Sequence, residues 1–292
     1  MNAERERLRC GRAALLALLL GLLLVGRALL PGHALLPLDP RVHEPRRTLE
    51  LDPEQRKRVE LEAVVHGGDA LQQFLPFDRA AAAAWRAGEP PLWHPGLLCG
   101  LPLLAQGSSR AFYPTAAAFL LADPAPLYGW IWLAHLVLGG LFGYRLARRL
   151  GASEHGAVLA CATLVLSGFV CARVHHPMVF FAALWILPAL EASDALLRPR
   201  GARPSPAAPL ALAGSVALSC LAGFPQASVL LCYTVGGYGI WCLLGERRAR
   251  RRPCAAGVLL WALSLAAGLL LAAVQIVPMA EMALHSARPA SD

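Results

Sequence analysis

A chain of 292 residues that is 57% hydrophobic and only 16% charged, with a mean hydropathy of +0.50, does not describe a soluble globular domain. Its composition is that of a membrane protein. The formal charge of +8 comes from 27 cations, Lys57 being the sole lysine, set in short clusters between apolar runs; a nucleic-acid reader would instead gather cations and aromatics on one polar surface, so that class is excluded.

A transmembrane helix needs roughly 20 mostly apolar residues. In chain order the runs that qualify are Ala13 to Pro31, Pro124 to Tyr144, Gly156 to Val174, Met178 to Leu197, Ala207 to Phe224, Gln226 to Leu244 and Cys254 to Val277. The first has a basic start, a leucine run and Arg27 near its end, which fits a retained helix and also a secretory signal peptide; the retained helix is carried forward. Pro188 is expected to kink the fourth helix, and Pro225 to mark the hairpin between the fifth and sixth. The expected fold is an all-α membrane protein of about seven transmembrane helices. Residues 1–12 form the amino-terminal tail, 13–31 the first helix, 32–123 a large loop, 124–277 helices two to seven, and 278–292 a tail.

Arginine in short connections sets orientation, because such loops stay cytoplasmic. Residues 1–12 carry Arg5, Arg7, Arg9 and Arg12, and the second connection Arg145, Arg148 and Arg149. The fourth carries Arg198, Arg200 and Arg203, and the sixth Arg247, Arg248, Arg250, Arg251 and Arg252. Against these fifteen, the alternate short connections and the final tail offer only Arg173 and Arg288. The expected topology therefore has a cytoplasmic amino terminus and an extracytoplasmic loop 32–123.

A loop that long is expected to have structure of its own. Asp52 and Pro53 open a helix, with Gln55 at the capping-box position. Gly67-Gly68-Asp69 opens another with Asp69 as N-cap, in which Leu71, Phe74, Leu75 and Trp85 recur at helical spacing, Pro76 breaks or kinks and Gly88 closes. Such helices can lie along the membrane surface. Pro114 to Leu121 reads as a short interfacial apolar segment.

On this topology the unusual polar residues fall on the outer side: Asp69, His94, Gln106, Arg110 and Tyr113 in the loop, Arg173, His175 and His176 after the third helix, then Gln226, Gln275, Glu281 and Arg288. His135 reads as a neutral imidazole bonding a neighbouring helix. Glu191 and Asp194 read as solvated, and Tyr128, Trp130, Trp132 and Tyr144 as interface anchors. The eight cysteines show no metal spacing and read as small apolar residues. No phosphate loop, G-x-S-x-G or His-Glu-x-x-His is present. Nothing in the sequence demands a metal or other cofactor, and a divalent metal stays open.

From residue 67 to 288 an ordered series of short matches resembles the amino-terminal part of the YfhO-type bacterial membrane protein family, within the C-type superfamily of lipid-sugar-dependent glycosyltransferases. It runs through Gly68-Asp69, Gln73, Pro76-Phe77, Gly88-Glu89, Pro91-Leu92-Trp93, Pro95, Gly100, Pro102-Leu103, Phe112-Tyr113-Pro114, Arg148-Arg149-Leu150-Gly151, Ser167-Gly168-Phe169, His176-Pro177, Gly223, Pro225-Gln226, Pro278 and Glu281. His94 and Phe224 depart from the family pattern, which has Asn and commonly His there. Family members are longer, so the chain is expected to be the front portion of such a protein.

The resemblance implies a bacterial inner-membrane enzyme moving a sugar from a polyprenyl-phosphate donor to an envelope glycopolymer or lipid acceptor, facing the extracytoplasmic side. It implies Asp69 as general base, with His94, Gln106, Arg110, Tyr113, Arg173, His176, Gln226 and Glu281 as candidates for binding substrate. The bilayer and the lipid-linked sugar are the implied partners, and nucleic acid is not. A flippase or transporter of lipid-linked sugars, and a noncatalytic envelope-assembly scaffold, are the alternatives.

Overall fold

The computed structural model describes residues 2–36, 52–58, 69–96, 99–174, 176–199, 205–248 and 254–285. Gly67, Gly68, His175, Arg200, Arg203, Arg250, Arg251, Arg252 and Arg288, each part of an expectation above, lie outside these residues. The described residues form helices and no sheet; an isolated antiparallel bridge joins His94 to Leu101.

In chain order the helices are α1 (Asn2–Val25), α2 (Leu75–Arg86), α3 (Thr115–Phe119), α4 (Pro124–Arg149), α5 (Glu154–Val165) and α6 (Gly168–Ala172). They continue with α7 (Pro177–Ala183), α8 (Ile186–Leu197), α9 (Ala207–Leu221), α10 (Pro225–Arg248), α11 (Ala255–Leu271) and α12 (Ala273–Leu284). Five stretches are long and apolar enough to cross a bilayer: Glu4–Leu29, Pro124–Arg149, Glu154–Ala172, Pro177–Leu197 and Pro225–Gly245. A sixth is the pair α11 and α12, bent by 67° at Ala272. The chain is thus a multi-pass membrane protein. Of the seven expected spans six are thus supported, five as long helices and one as the bent pair; the expected fifth falls on α9, whose 15 residues reach only ~22 Å at ~1.5 Å each.

Local chemistry accounts for the breaks. The expected third helix is interrupted where Ser167 Oγ accepts the Val170 N–H at 3.2 Å and caps a new turn. The fourth breaks at Leu184-Trp185, one turn before Pro188, because proline has no N–H to return to the Leu184 carbonyl. The seventh bends at Ala272, where the following turn buries Gln275, whose amide donates to the Leu104 carbonyl at 2.5 Å. Pro225 opens α10 as expected, and Asp52 caps residues 53–58 by accepting the Glu54 and Gln55 N–H groups, both at 2.9 Å.

The two ends of the bundle differ in chemistry. At one end Arg9 meets Glu154 at 3.2 Å and Arg145 meets Glu191 at 3.0 Å. Asp194 is 5% exposed and accepts from Arg149 (2.5 Å), Arg198 (2.9 Å) and Tyr238 (2.8 Å). Glu191 and Asp194 are therefore paired rather than simply solvated. The interface-anchor reading holds for Trp130, 54% exposed, but fails for Tyr128, Trp132 and Tyr144, which are buried in the core between α1, α4, α5 and α7. All eight cysteines are free, and Cys99 and Cys171 are exposed.

The other end gathers the loop containing α2 and α3. Asp123 caps α4 by accepting the Ala125 N–H at 3.0 Å, and Arg79 of α2 grips the same carboxylate at 2.7 and 3.0 Å. Arg79 holds the Asp123 carboxyl below its ordinary value. A lowered carboxyl stabilises the fold above about pH 4, and that contribution fades as pH falls through the lowered value. Thermal melts between pH 6 and pH 3 are expected to show a shallower acid-side loss in Arg79→Ala than in the unaltered chain. Both side chains are about half exposed, so the change at neutral pH is small.

Candidate functional site

A buried ion pair braces the loop internally, and a hydrogen bond from Tyr128 of α4 ties that pair to the bundle. Arg110, in a left-handed conformation (φ +49°), is 2% exposed and pairs with Asp78, also 2% exposed. The Tyr128 hydroxyl donates to the same carboxylate at 2.6 Å. Burial pushes the Asp78 carboxyl up from its ordinary value, opposed by Arg110 and the Tyr128 hydroxyl. Burial also opposes the Arg110 charge, and Asp78 with Tyr128 more than offsets it. The guanidinium lies 5.8 Å from the Tyr128 ring centre and 5.9 Å from that of Phe181.

A neutral chain of hydrogen bonds runs beside this pair. Trp185 Nε1 donates to the Tyr113 hydroxyl at 3.1 Å, which lies 2.8 Å from His135 Nε2. His135 Nδ1 lies 2.7 Å from the Ile131 carbonyl, which can only accept. That contact fixes the proton on Nδ1 and leaves Nε2 to accept from Tyr113. The expected neutral imidazole is thus supported in its geometry, with a loop tyrosine as partner. Burial pushes the Tyr113 phenol up to about 12, so it stays protonated at neutral pH.

The loop can sit this close because Gly223, at φ +87°, has no side chain; a Cβ there would lie 2.7 Å from Arg110 Cγ and 3.3 Å from the Ser108 carbonyl. Gly223→Ala combines backbone strain with overpacking and is expected to cost on the order of 2 kcal/mol. The check is the apparent Tm of the detergent-purified chain, which should fall by several degrees.

Above the buried pair lies a more open contact. Asp69 Oδ2 and His176 Nε2 are 2.8 Å apart, with the side chains 51% and 35% exposed. Asp69 is not the N-cap the sequence suggests: its backbone is already helical (φ −57°, ψ −38°) and its side chain caps nothing. The chain enters through a wide helical turn, Ala70–Phe74, and α2 begins at Leu75 with Pro76 in its first turn, so the helix changes type where the proline was expected to break or kink it. That leaves the Asp69 carboxylate free to reach across to His176, which sits just before Pro177 at the start of α7. The Phe74 ring meets His176 edge-on at 6.0 Å. The residues next to each partner in sequence, Ala70 and Pro177, line a space of about 10 Å³ together with Phe74, Arg110, Trp132 and Phe181, room for about one water.

No protein-family model, curated protein or solved structure matches the chain.

The remaining candidates separate by position. Arg173 is exposed beside the contact in sequence: its carbonyl accepts the His176 N–H at 3.0 Å, and its guanidinium lies 5.7 Å from the Phe169 ring centre. Arg110 and Tyr113 are buried in the fastening just described and do not face solvent. Gln106 braces its own loop by accepting the Ser108 N–H at 3.3 Å. A Cβ at Gly107 would meet Met279 and Pro225, so exposed Gln226 and Glu281 belong to that second corner of the loop. His94 is held in the bridge to Leu101, with Nδ1 accepting the Gly96 N–H at 3.0 Å.

Sequence reading missed Asp78, although its signal was available. The apolar stripe that runs from Leu71 and Phe74 of the wide turn into Leu75, Ala82 and Trp85 of α2 includes the position of Asp78, four residues before Ala82. An acid on an apolar face calls for a buried cation. The role of Trp185 as donor to Tyr113 left no local trace.

Proposed function

We propose that this protein is an extracytoplasmic-facing membrane glycosyltransferase that moves a sugar from a polyprenyl-phosphate donor to a hydroxyl of a cell-envelope acceptor. The observation that supports it is the 2.8 Å contact between Asp69 and His176, two residues 107 positions apart and both partly exposed. In this reading His176 donates from Nε2 to Asp69 Oδ2, leaving Oδ1 to accept the acceptor's hydroxyl proton. The acceptor oxygen attacks the anomeric carbon, the bond from that carbon to the phosphate oxygen breaks, and polyprenyl phosphate leaves. Arg173, three residues before His176 in the chain, is an exposed cation suited to the donor phosphate.

The orientation belongs to the same proposal. With the arginine-rich end in the cytoplasm of a bacterial inner membrane, Asp69, His176 and Arg173 face outward, where lipid-linked sugars and envelope acceptors meet. Positioning supplies most of the rate, and a removed general base costs on the order of 10²-fold or more.

The test is incorporation of labelled lipid-linked sugar into envelope material by cells expressing the full reading frame, at equal membrane abundance. Asp69→Asn is expected to lose transfer by about 10²-fold or more, and His176→Gln by about tenfold. Undiminished transfer in Asp69→Asn overturns the assignment. One observation favours a second reading, a flippase of lipid-linked sugars: the 67° break at Ala272 is the kind of interrupted span that transporters use. Lipid-linked sugar that still crosses the membrane in Asp69→Asn but stops when Gln275 is replaced would select that reading.

A further inference from the structure

At the arginine-rich end, far from Asp69 along the bundle, two recesses lie side by side. One, of about 470 Å³, opens between α4, α8 and α9. The other, of about 530 Å³, opens between the start of α1 and the end of α4 and holds Glu6, Arg7, Cys10 and Arg148. Arg145, Arg149 and Glu191 line both, so the two recesses adjoin along these three side chains.

The chemistry of the groove they form changes along its length. The mouth carries Arg7, Arg145, Arg148 and Arg149 against Glu6 and Glu191, an excess of two positive charges. Arg149 is engaged by Asp194 and the Arg198 carbonyl, and Arg145 by Glu191. Arg7 is exposed, and Arg148 Nε is buried with no hydrogen-bond partner among the described residues. Away from the mouth the wall turns apolar. α9 contributes the small residues Ala208, Ala211 and Gly214, with Leu218 one turn further along the same helix, and Phe142 of α4 and Trp185 complete this apolar lining. A Cβ at Gly214 meets nothing within 4 Å, so that wall is open.

A cationic mouth adjoining an apolar trough excludes a soluble anion as the best occupant, because the trough would stay wet. It also disfavours a zwitterionic lipid, which leaves the charge excess unmatched. We propose that this groove binds an anionic phospholipid of the surrounding bilayer. Its phosphate sits among Arg7, Arg145 and Arg148, and one acyl chain lies along the small-residue face of α9 towards Trp185. The proposal is independent of the glycosyltransferase reading.

The experiment uses the full chain purified in detergent and titrated with phosphatidylglycerol or phosphatidylcholine, bound lipid being counted by native mass spectrometry. The unaltered chain is expected to prefer phosphatidylglycerol by about tenfold, and Arg7→Gln with Arg145→Gln to bring the preference within about twofold. Gly214→Leu, which fills the trough and leaves the charges, is expected to weaken both lipids together. As a second readout on the unaltered fold, phosphatidylglycerol with brominated acyl chains should quench a fraction of the tryptophan fluorescence that disappears in Trp185→Phe. Equal affinity for the two lipids, a preference untouched by the double substitution, or quenching independent of Trp185 would overturn the proposal. So would displacement of the lipid by millimolar inorganic phosphate, which would assign the mouth to a soluble anion.

Discussion

Arg110→Leu is expected to destabilise the chain by about 3–5 kcal/mol, the range for removing one partner of a buried pair. The cost arises because Asp78 and the Tyr128 hydroxyl stay behind, each 8% exposed or less, with no cation facing them. At ~2–4 °C per kcal/mol for a chain of this size, the apparent Tm should fall by roughly 10 °C or more. Replacing Asp78 by Leu in the same chain should recover most of the loss, because two apolar side chains carry no desolvation penalty. Recovery separates a lost ion pair from lost packing. A single substitution that melts within a degree or two of the unaltered chain would show that the pair does not brace the loop.

The second large effect is expected at the packing of α11. A Cβ on Gly257 would collide with the Leu196 carbonyl oxygen, and one on Gly268 would lie 2.6 Å from Val216 Cβ and 2.7 Å from the Ala213 carbonyl. Backbone atoms cannot step aside as a flexible side chain can, so α11 must move off α8 and α9. Gly257→Ala and Gly268→Ala are each expected to cost about 1–3 kcal/mol, as overpacking does. Gly236 is the internal control: it sits within α10, and a Cβ there meets nothing within 4 Å. Gly236→Ala should be neutral or stabilising by up to about 1 kcal/mol, the helical preference for alanine. If all three glycines respond alike, close helix approach is not what the first two provide.

These residues also show what could be read from the sequence and what could not. The helices α4 and α10 and the hairpin at Pro225 were legible because long apolar runs and proline act locally. The break at Leu184-Trp185 was misplaced by one turn, since the effect of Pro188 falls on the carbonyl four residues earlier. The bend at Ala272 depends on where Gln275 finds the Leu104 carbonyl, a contact across 171 positions that no local pattern encodes. At the candidate site, Asp69 and His176 were each legible as unusual polar residues on one side. Their contact was not, because it needs the wide turn at Ala70–Phe74 to swing Asp69 away from a capping role. The arginine clusters were legible as a tally, but Asp194, their main buried carboxylate partner, read as a solvated acid.

One indole belongs to both ends of the molecule. Trp185 donates to Tyr113, which is tied to the loop beneath Asp69, and the same side chain lines the groove that opens among Arg145 and Arg149. The ring cannot turn in that groove without breaking its bond to Tyr113. Replacing Trp185 therefore removes a hydrogen bond of the loop and a part of the groove's lining in one step.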